Sequence, residues 1–167
     1  MTRFAPIEGT ITSISPVQTG ETTYDPCSLY LTLRDNTQQT FHVILDSTAY
    51  VLNQQPVLQG DSVTVFYDTM APMPLIYPPQ YRAVAVVPSV TGQLAVLDYF
   101  NQNLINSDNT LRLNLSGDTQ LRLPNGQYYL GIPGNQYLLV LYSVTARSIP
   151  AQTTPAEVTV FCQTQAS

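Results

Sequence analysis

The chain has 167 residues, 44% of them apolar but only 10% charged, against about 25% charged in an average globular domain. Its net charge is −5 and all six basic residues are scattered arginines with no lysine, so no basic stripe is present to meet nucleic-acid phosphates. No apolar run approaches the ~20 residues of a membrane span, and the length suits one compact unit or two small ones with a real core.

In chain order, MTRFAPIEGT holds no apolar h-region, so no secretory signal is visible there. Cys27 follows in a segment read as a loop. Leu29, Leu31 and Leu33 then alternate with Tyr30, Thr32 and Arg34, and Phe41, Val43 and Leu45 alternate with His42 and Ile44. The polar DNTQQ between them predicts a hairpin loop. Residues 47–52 are the one stretch expected to form a short helical turn, with Ser47 or Thr48 as its cap. Val63, Val65 and Tyr67 alternate next. APMPLIYPPQ (71–80) is too proline-rich for helix or central strand. Residues 81–87, YRAVAVV, resume as a single strand that is apolar on both faces.

The second half repeats the plan. Leu94 and Val96 begin it, and Leu111, Leu113 and Leu115 alternate with Arg112 and Asn114. SGD and PNG mark turns on either side of Leu121 and Leu123. Residues 137–142 (YLLVLY) and 157–161 (EVTVF) predict the last strands. Residues 63–87 align on 138–162 without a gap at an offset of 75, placing Tyr67 on Tyr142 and Ala71 on Ala146, while 9–15 align on 92–98. This pattern predicts an internal duplication with domains 1–88 and 89–167. The expected fold is all-β: two tandem related small β-barrels, OB-like, or β-sandwiches, packed together.

Candidate sites are few. His42 is the only histidine and lies on an outward strand face, so a Ser–His or Cys–His nucleophile has nowhere else to form. Asp35, Asp61, Asp108 and Asp118 sit in turn contexts where Asp bonds the backbone. No two carboxylates can be nominated as a glycosidase pair, and no loop has calcium-ligand spacing. Cys27 and Cys162 form no CxxC pattern; they could pair within the chain, pair between chains, or stay as buried thiols. The chain is therefore expected to be no enzyme and to need no metal or other cofactor. The most distinctive stretch places Met70, Met73, Leu75, Ile76, Tyr77 and Tyr81 on and around a stiff proline-rich loop. These residues either cap the open end of a barrel or form an interface.

FYDTMAPMPLIYPPQYRAVAV (66–86) and RSIPAQTTPAEVTVFC (147–162) resemble uncharacterised small proteins of spore-forming anaerobic Firmicutes. By analogy that resemblance implies a spore setting, such as a coat or appendage fibre, where no signal peptide is needed and disulfides can lock subunits. Low charge, absent lysine and a duplicated β-domain agree with a self-assembling structural subunit of an extracellular or spore-surface fibre or layer. Its partner would be a second copy of itself, through the termini MTRFAPIE (1–8) and CQTQAS (162–167) and a Cys27–Cys162 contact. The alternative is an OB-like module that binds a glycan or peptide through its tyrosines.

Overall fold

The computed structural model of the chain describes residues 3–143 and 145–162. It is all-β and divides into two compact units, Phe4–Ser89 and the residues from Val90 onward. Among the described residues no helix is long and apolar enough to cross a membrane.

The first unit is one seven-stranded sheet built from β1 (Phe4–Gln18), β2 (Tyr24–Arg34), β3 (Thr40–Asp46), β4 (Tyr50–Val51), β5 (Ser62–Asp68), β6 (Gln80–Arg82) and β7 (Ala85–Pro88). Its order is β4-β7-β5-β1-β2-β3-β6, open at both ends. The period-2 pattern decides which face is inside. Leu31 and Leu33 of β2, Phe41 and Val43 of β3, and Val63 and Val65 of β5 are buried in one cluster. Burying each such side chain contributes about 1.5–3 kcal/mol. β1 is long enough to serve two partners. Phe4–Thr10 pairs with β5, and Thr10–Gln18 pairs with β2.

Three expectations are corrected here. Residues 81–87 are not one strand. Gln80–Arg82 pairs in parallel with β3, and Ala85–Pro88 pairs antiparallel with β5, with Ala83 and Val84 crossing between. No helical turn fills 47–52. The Asp46 carboxylate, rather than Ser47 or Thr48, takes the backbone N–H and hydroxyl of Thr48 at 2.9 and 2.6 Å, and the chain turns straight into β4. A single 3-10 turn follows later, at Leu52–Gln54. Nor are residues 4–8 a free terminus, because β1 begins at Phe4 and is laddered to β5.

The second unit holds β8 (Leu94–Phe100), β9 (Leu111–Leu113), β10 (Gln120–Arg122), β11 (Gln136–Tyr142), β12 (Ala151–Thr153) and β13 (Glu157–Phe161). Four of them form a sheet in the order β10-β13-β11-β8, and β12 pairs with β9. Phe100, Leu138, Val140, Val158 and Val160 are its buried centre.

The two units share one pairing scheme. β8–β11–β13 follow β1–β5–β7 as antiparallel neighbours, β10 lies parallel to β13 as β4 does to β7, and β9 lies parallel to β12 as β3 does to β6. The counterpart of β2 shrinks to two bridges, Phe100 to Asn106 and Ile105 to Arg112. Register also corrects the gapless alignment. Val65 faces Val86 and Ile7, while Val140 faces Val158 and Val96. Val65 and Val140 keep the offset of 75, but Val86 then falls on Val158 and Ile7 on Val96. The connecting segments differ in length between the units, so residues 9–15 do not answer to 92–98.

Candidate functional site

The proline-rich loop leaves β5 through a turn set by Asp68, whose carboxylate accepts the Met70 N–H at 2.9 Å while its carbonyl accepts the Ala71 N–H at 3.2 Å. Pro72, Pro74, Pro78 and Pro79 then withhold backbone donors and restrict φ. Residues 69–79 form no strand. Met70, Leu75, Ile76 and Tyr77 project into solvent, Leu75 completely, while Met73 is partly exposed. Tyr81 departs from the other five. It lies on β6, half-buried against the core, with its ring 4.7 Å from Tyr67 and 6.0 Å from Phe41. Burial first, then the neighbouring Tyr67, raises its phenol above the ordinary value, so it stays neutral.

Beneath the loop lies a cleft of about 290 Å³. Ala49, Tyr67, Ala71, Pro72, Met73 and Val84 wall it, with Asp46, Asp68 and Arg82 among its polar lining. Arg82 Nη1 donates to Asp46 Oδ2 at 2.7 Å. The Asp46 carboxyl is held below its ordinary value, chiefly by the Thr48 hydroxyl, against an opposing cost of burial, and further by the Thr48 N–H and Arg82. Because the folded value lies under the unfolded one, this stabilisation is present above the ordinary carboxylate range and is lost as pH falls through the folded value. Asp46→Asn is therefore expected to lower the urea midpoint at about pH 7 and to cost less at about pH 3. An equal loss at both values would refute the assignment. A larger cleft of about 630 Å³ runs beside β1 past Glu8, Thr10, Arg34, Asp35, Gln38 and Ser62, and none of its lining residues is aromatic.

The second unit exposes an apolar turn that sequence reasoning did not single out. Between β10 and β11, Tyr128, Leu130 and Ile132 stand out, the latter two 95% and 85% exposed. The turn is braced from behind. Tyr129 N–H donates to Leu121 O at 2.9 Å, and its hydroxyl donates to Ile132 O at 2.9 Å. The Tyr129 hydroxyl also lies 2.7 Å from where a Cβ on Gly131 would stand, so a side chain at that position would displace the bracing ring. Arg122 donates to Gly126 O at 3.0 Å and lies 4.9 Å from the centre of the Tyr128 ring. The signal available in sequence was an apolar YYLGI between PNG and PGN turns. Ile149, in the loop before β12, is exposed as well.

His42, Asp35 and Asp61 have structural partners. His42 Nδ1 lies 3.2 Å from the Thr32 hydroxyl, and its ring lies 4.9 Å from that of Tyr30. The Asp35 carboxylate takes the N–H groups of Thr37 and Gln39 and the Thr37 hydroxyl, closing the hairpin loop; those bonds hold its carboxyl low. Asp61 accepts the Leu58 N–H. Asp98, which turn reasoning had passed over, is buried and accepts the N–H groups of Tyr99 and Ser107 and the Ser107 hydroxyl. Asp98→Ala removes the buried, charged acceptor that ties Ser107 and Tyr99 to β8 and is expected to cost about 2 kcal/mol of unfolding free energy. A change within error in urea denaturation would contradict this accounting.

Cys27 and Cys162 are both exposed free thiols, so the buried-thiol expectation does not hold, and no disulfide is formed among the described residues. Cys27 is not in a loop but on β2. Between the pairs Pro16–Leu29 and Val17–Asp25 the second strand carries three extra residues, Pro26 to Ser28, and this bulge lifts Cys27 outward. The tail beyond Cys162 lies outside the described residues. Among the described residues no three His, Cys, Asp or Glu side chains converge as a metal set would. Protein-family models, curated proteins and solved structures yield no match to this chain.

Proposed function

We propose that the chain is a structural subunit that assembles with copies of itself, in an extracellular or spore-surface fibre or layer. The observation that carries this reading is the exposure of large apolar side chains in clusters on two stiffened loops, at 70–77 and 128–132. Clustered exposure of this kind marks contact surfaces rather than ordinary scatter. With few charges, the surface offers little repulsion between copies. Cys27 and Cys162 are exposed, and bridges between chains under oxidising conditions would draw on them.

Each unit is read as a variant of the OB barrel, the two arising by duplication. The supporting feature is the circuit of pairings: β1 to β2, β2 to β3, β3 to the 80–82 half of the last segment, its 85–88 half to β5, and β5 back to β1. Chain continuity through Ala83 and Val84 stands in for one missing ladder.

Negative-stain electron microscopy beside gel filtration with light scattering, with and without reductant, tests the assembly reading. Fibres, sheets or large oligomers are expected, weaker in reductant. A monomer in both conditions would sink it. The cleft under the loop, with Tyr67 in its wall, and the exposed Tyr77 on the loop favour a second reading, a peptide- or glycan-binding module. Array binding by the monomer that vanishes in Tyr77→Ala would then take its place.

A further inference from the structure

The two exposed apolar surfaces differ in shape and in charge. The one under the proline-rich loop is concave: the 290 Å³ cleft is walled by Ala49, Ala71, Pro72, Met73 and Val84. Its lining carries two carboxylates, Asp46 and Asp68, against one guanidinium, Arg82. The turn at 128–132 is convex, with Leu130 and Ile132 held outward by the Tyr129 brace. Residues 119–135 hold Arg122 and no acidic side chain. Like against like, two clefts would bring excess negative charge together, and two turns would bring two guanidinium groups together. Cleft against turn brings opposite charges together and a protruding apolar pair to an apolar hollow.

Resting on the assembly reading above, we propose that copies join head to tail, the 128–132 turn of one chain seating Leu130 and Ile132 in the cleft beneath the 69–79 loop of the next. Such a contact uses two different patches of the same chain. It is heterologous and leaves one cleft and one turn free at every step, so it grows into an open chain unless its rotation closes a ring. The convexity of the turn is preorganised by its own hydrogen bonds, so little ordering accompanies docking. Arg122, seated over Tyr128, reaches the contact beside the Asp46 and Asp68 side of the cleft.

The test is complementation. One variant, Leu130→Ser with Ile132→Ser, loses the turn and keeps the cleft. A second, Ala71→Trp, fills the cleft and keeps the turn; Met73→Asp serves the same end by another chemistry. All the altered side chains are exposed, and circular dichroism confirms that each variant folds. Each variant alone is expected to remain monomeric where the wild type assembles. Mixed in equal amounts, the two are expected to give a one-to-one dimer that grows no further, since only one live cleft and one live turn remain. Arg122→Glu is expected to weaken assembly about tenfold. Wild-type assembly undiminished in both folded variants would overturn the head-to-tail contact and leave the assembly reading standing. Loss of assembly in each variant without rescue on mixing would overturn it in favour of a like-to-like contact. A wild type that never assembles would remove both.

Discussion

Phe100→Ala is expected to destabilise the protein by about 4 kcal/mol, the largest effect of any single truncation considered. Its side chain is wholly buried in the cluster with Leu138, Val140, Val158 and Val160. Removing an aromatic ring from a core costs the transfer of its atoms plus the cavity left, about 3–5 kcal/mol. The upper half of that range applies because the neighbours cannot collapse inward. Val140 is pinned by ladders to both β8 and β13, and Phe100 itself is the bridge partner of Asn106, where the shortened counterpart of β2 begins. Urea unfolding followed by tyrosine fluorescence and circular dichroism measures it. A loss under about 1 kcal/mol would mean the site refills and that the packing described for this unit is wrong.

Gly9→Val is expected to cost about 3 kcal/mol. Gly9 pairs with Val63 on β1, and a Cβ there would stand 2.8 Å from the Phe41 ring and 2.9 Å from the carbonyl oxygen of Arg34. The ring is itself buried, and the carbonyl is backbone beside the β1–β2 ladder, so neither moves freely. Overpacking of a filled core costs about 1–3 kcal/mol, and a β-branched residue against backbone belongs at the top of that range. Gly9→Ala should fall between glycine and valine. If Gly9→Val were neutral or stabilising in urea denaturation, the aromatic would not be seated over the glycine. Gly60, which takes positive φ in the turn before β5, makes the contrast: open space surrounds it, and its requirement is one of backbone conformation alone.

The strands were legible because alternation with period 2 is a local property of the chain. Leu31 and Leu33, Phe41 and Val43, and Leu138 and Val140 announce an inner face before any partner is known. The all-β class, the hairpin at Asp35, and the turns around Pro124–Gly126 follow from neighbouring residues in the same way. The likeness of the two units was visible only as a pattern. A gapless match assigns one offset throughout, whereas ladders fix each strand separately, and the register of Val86 on Val158 required knowing which residues hydrogen-bond.

The candidate surfaces divide along the same line. Proline-rich chemistry marked the loop at 70–77 in the sequence, because proline removes donors wherever it stands. Nothing local distinguished Tyr81 from Tyr77, yet the strand at Gln80–Arg82 turns one onto the core and leaves the other in solvent. The turn at 128–132 reads as an ordinary apolar run until Tyr129 is seen bracing it from behind. Cys27 looked like a loop residue because the bulge that exposes it is a mismatch between two strands, not a property of either.

By itself, then, the sequence determined the class of structure, the approximate strands, the scarcity of charge and the stiffness of one loop, all of which depend on residues within a few positions of each other. Tertiary structure alone decided register, the split of the last segment between β3 and β5, the exposure of both thiols, and which apolar side chains stay outside. The physical reason is that burial and pairing are relations between residues far apart in the chain, settled by the partner strand that occupies each edge and face.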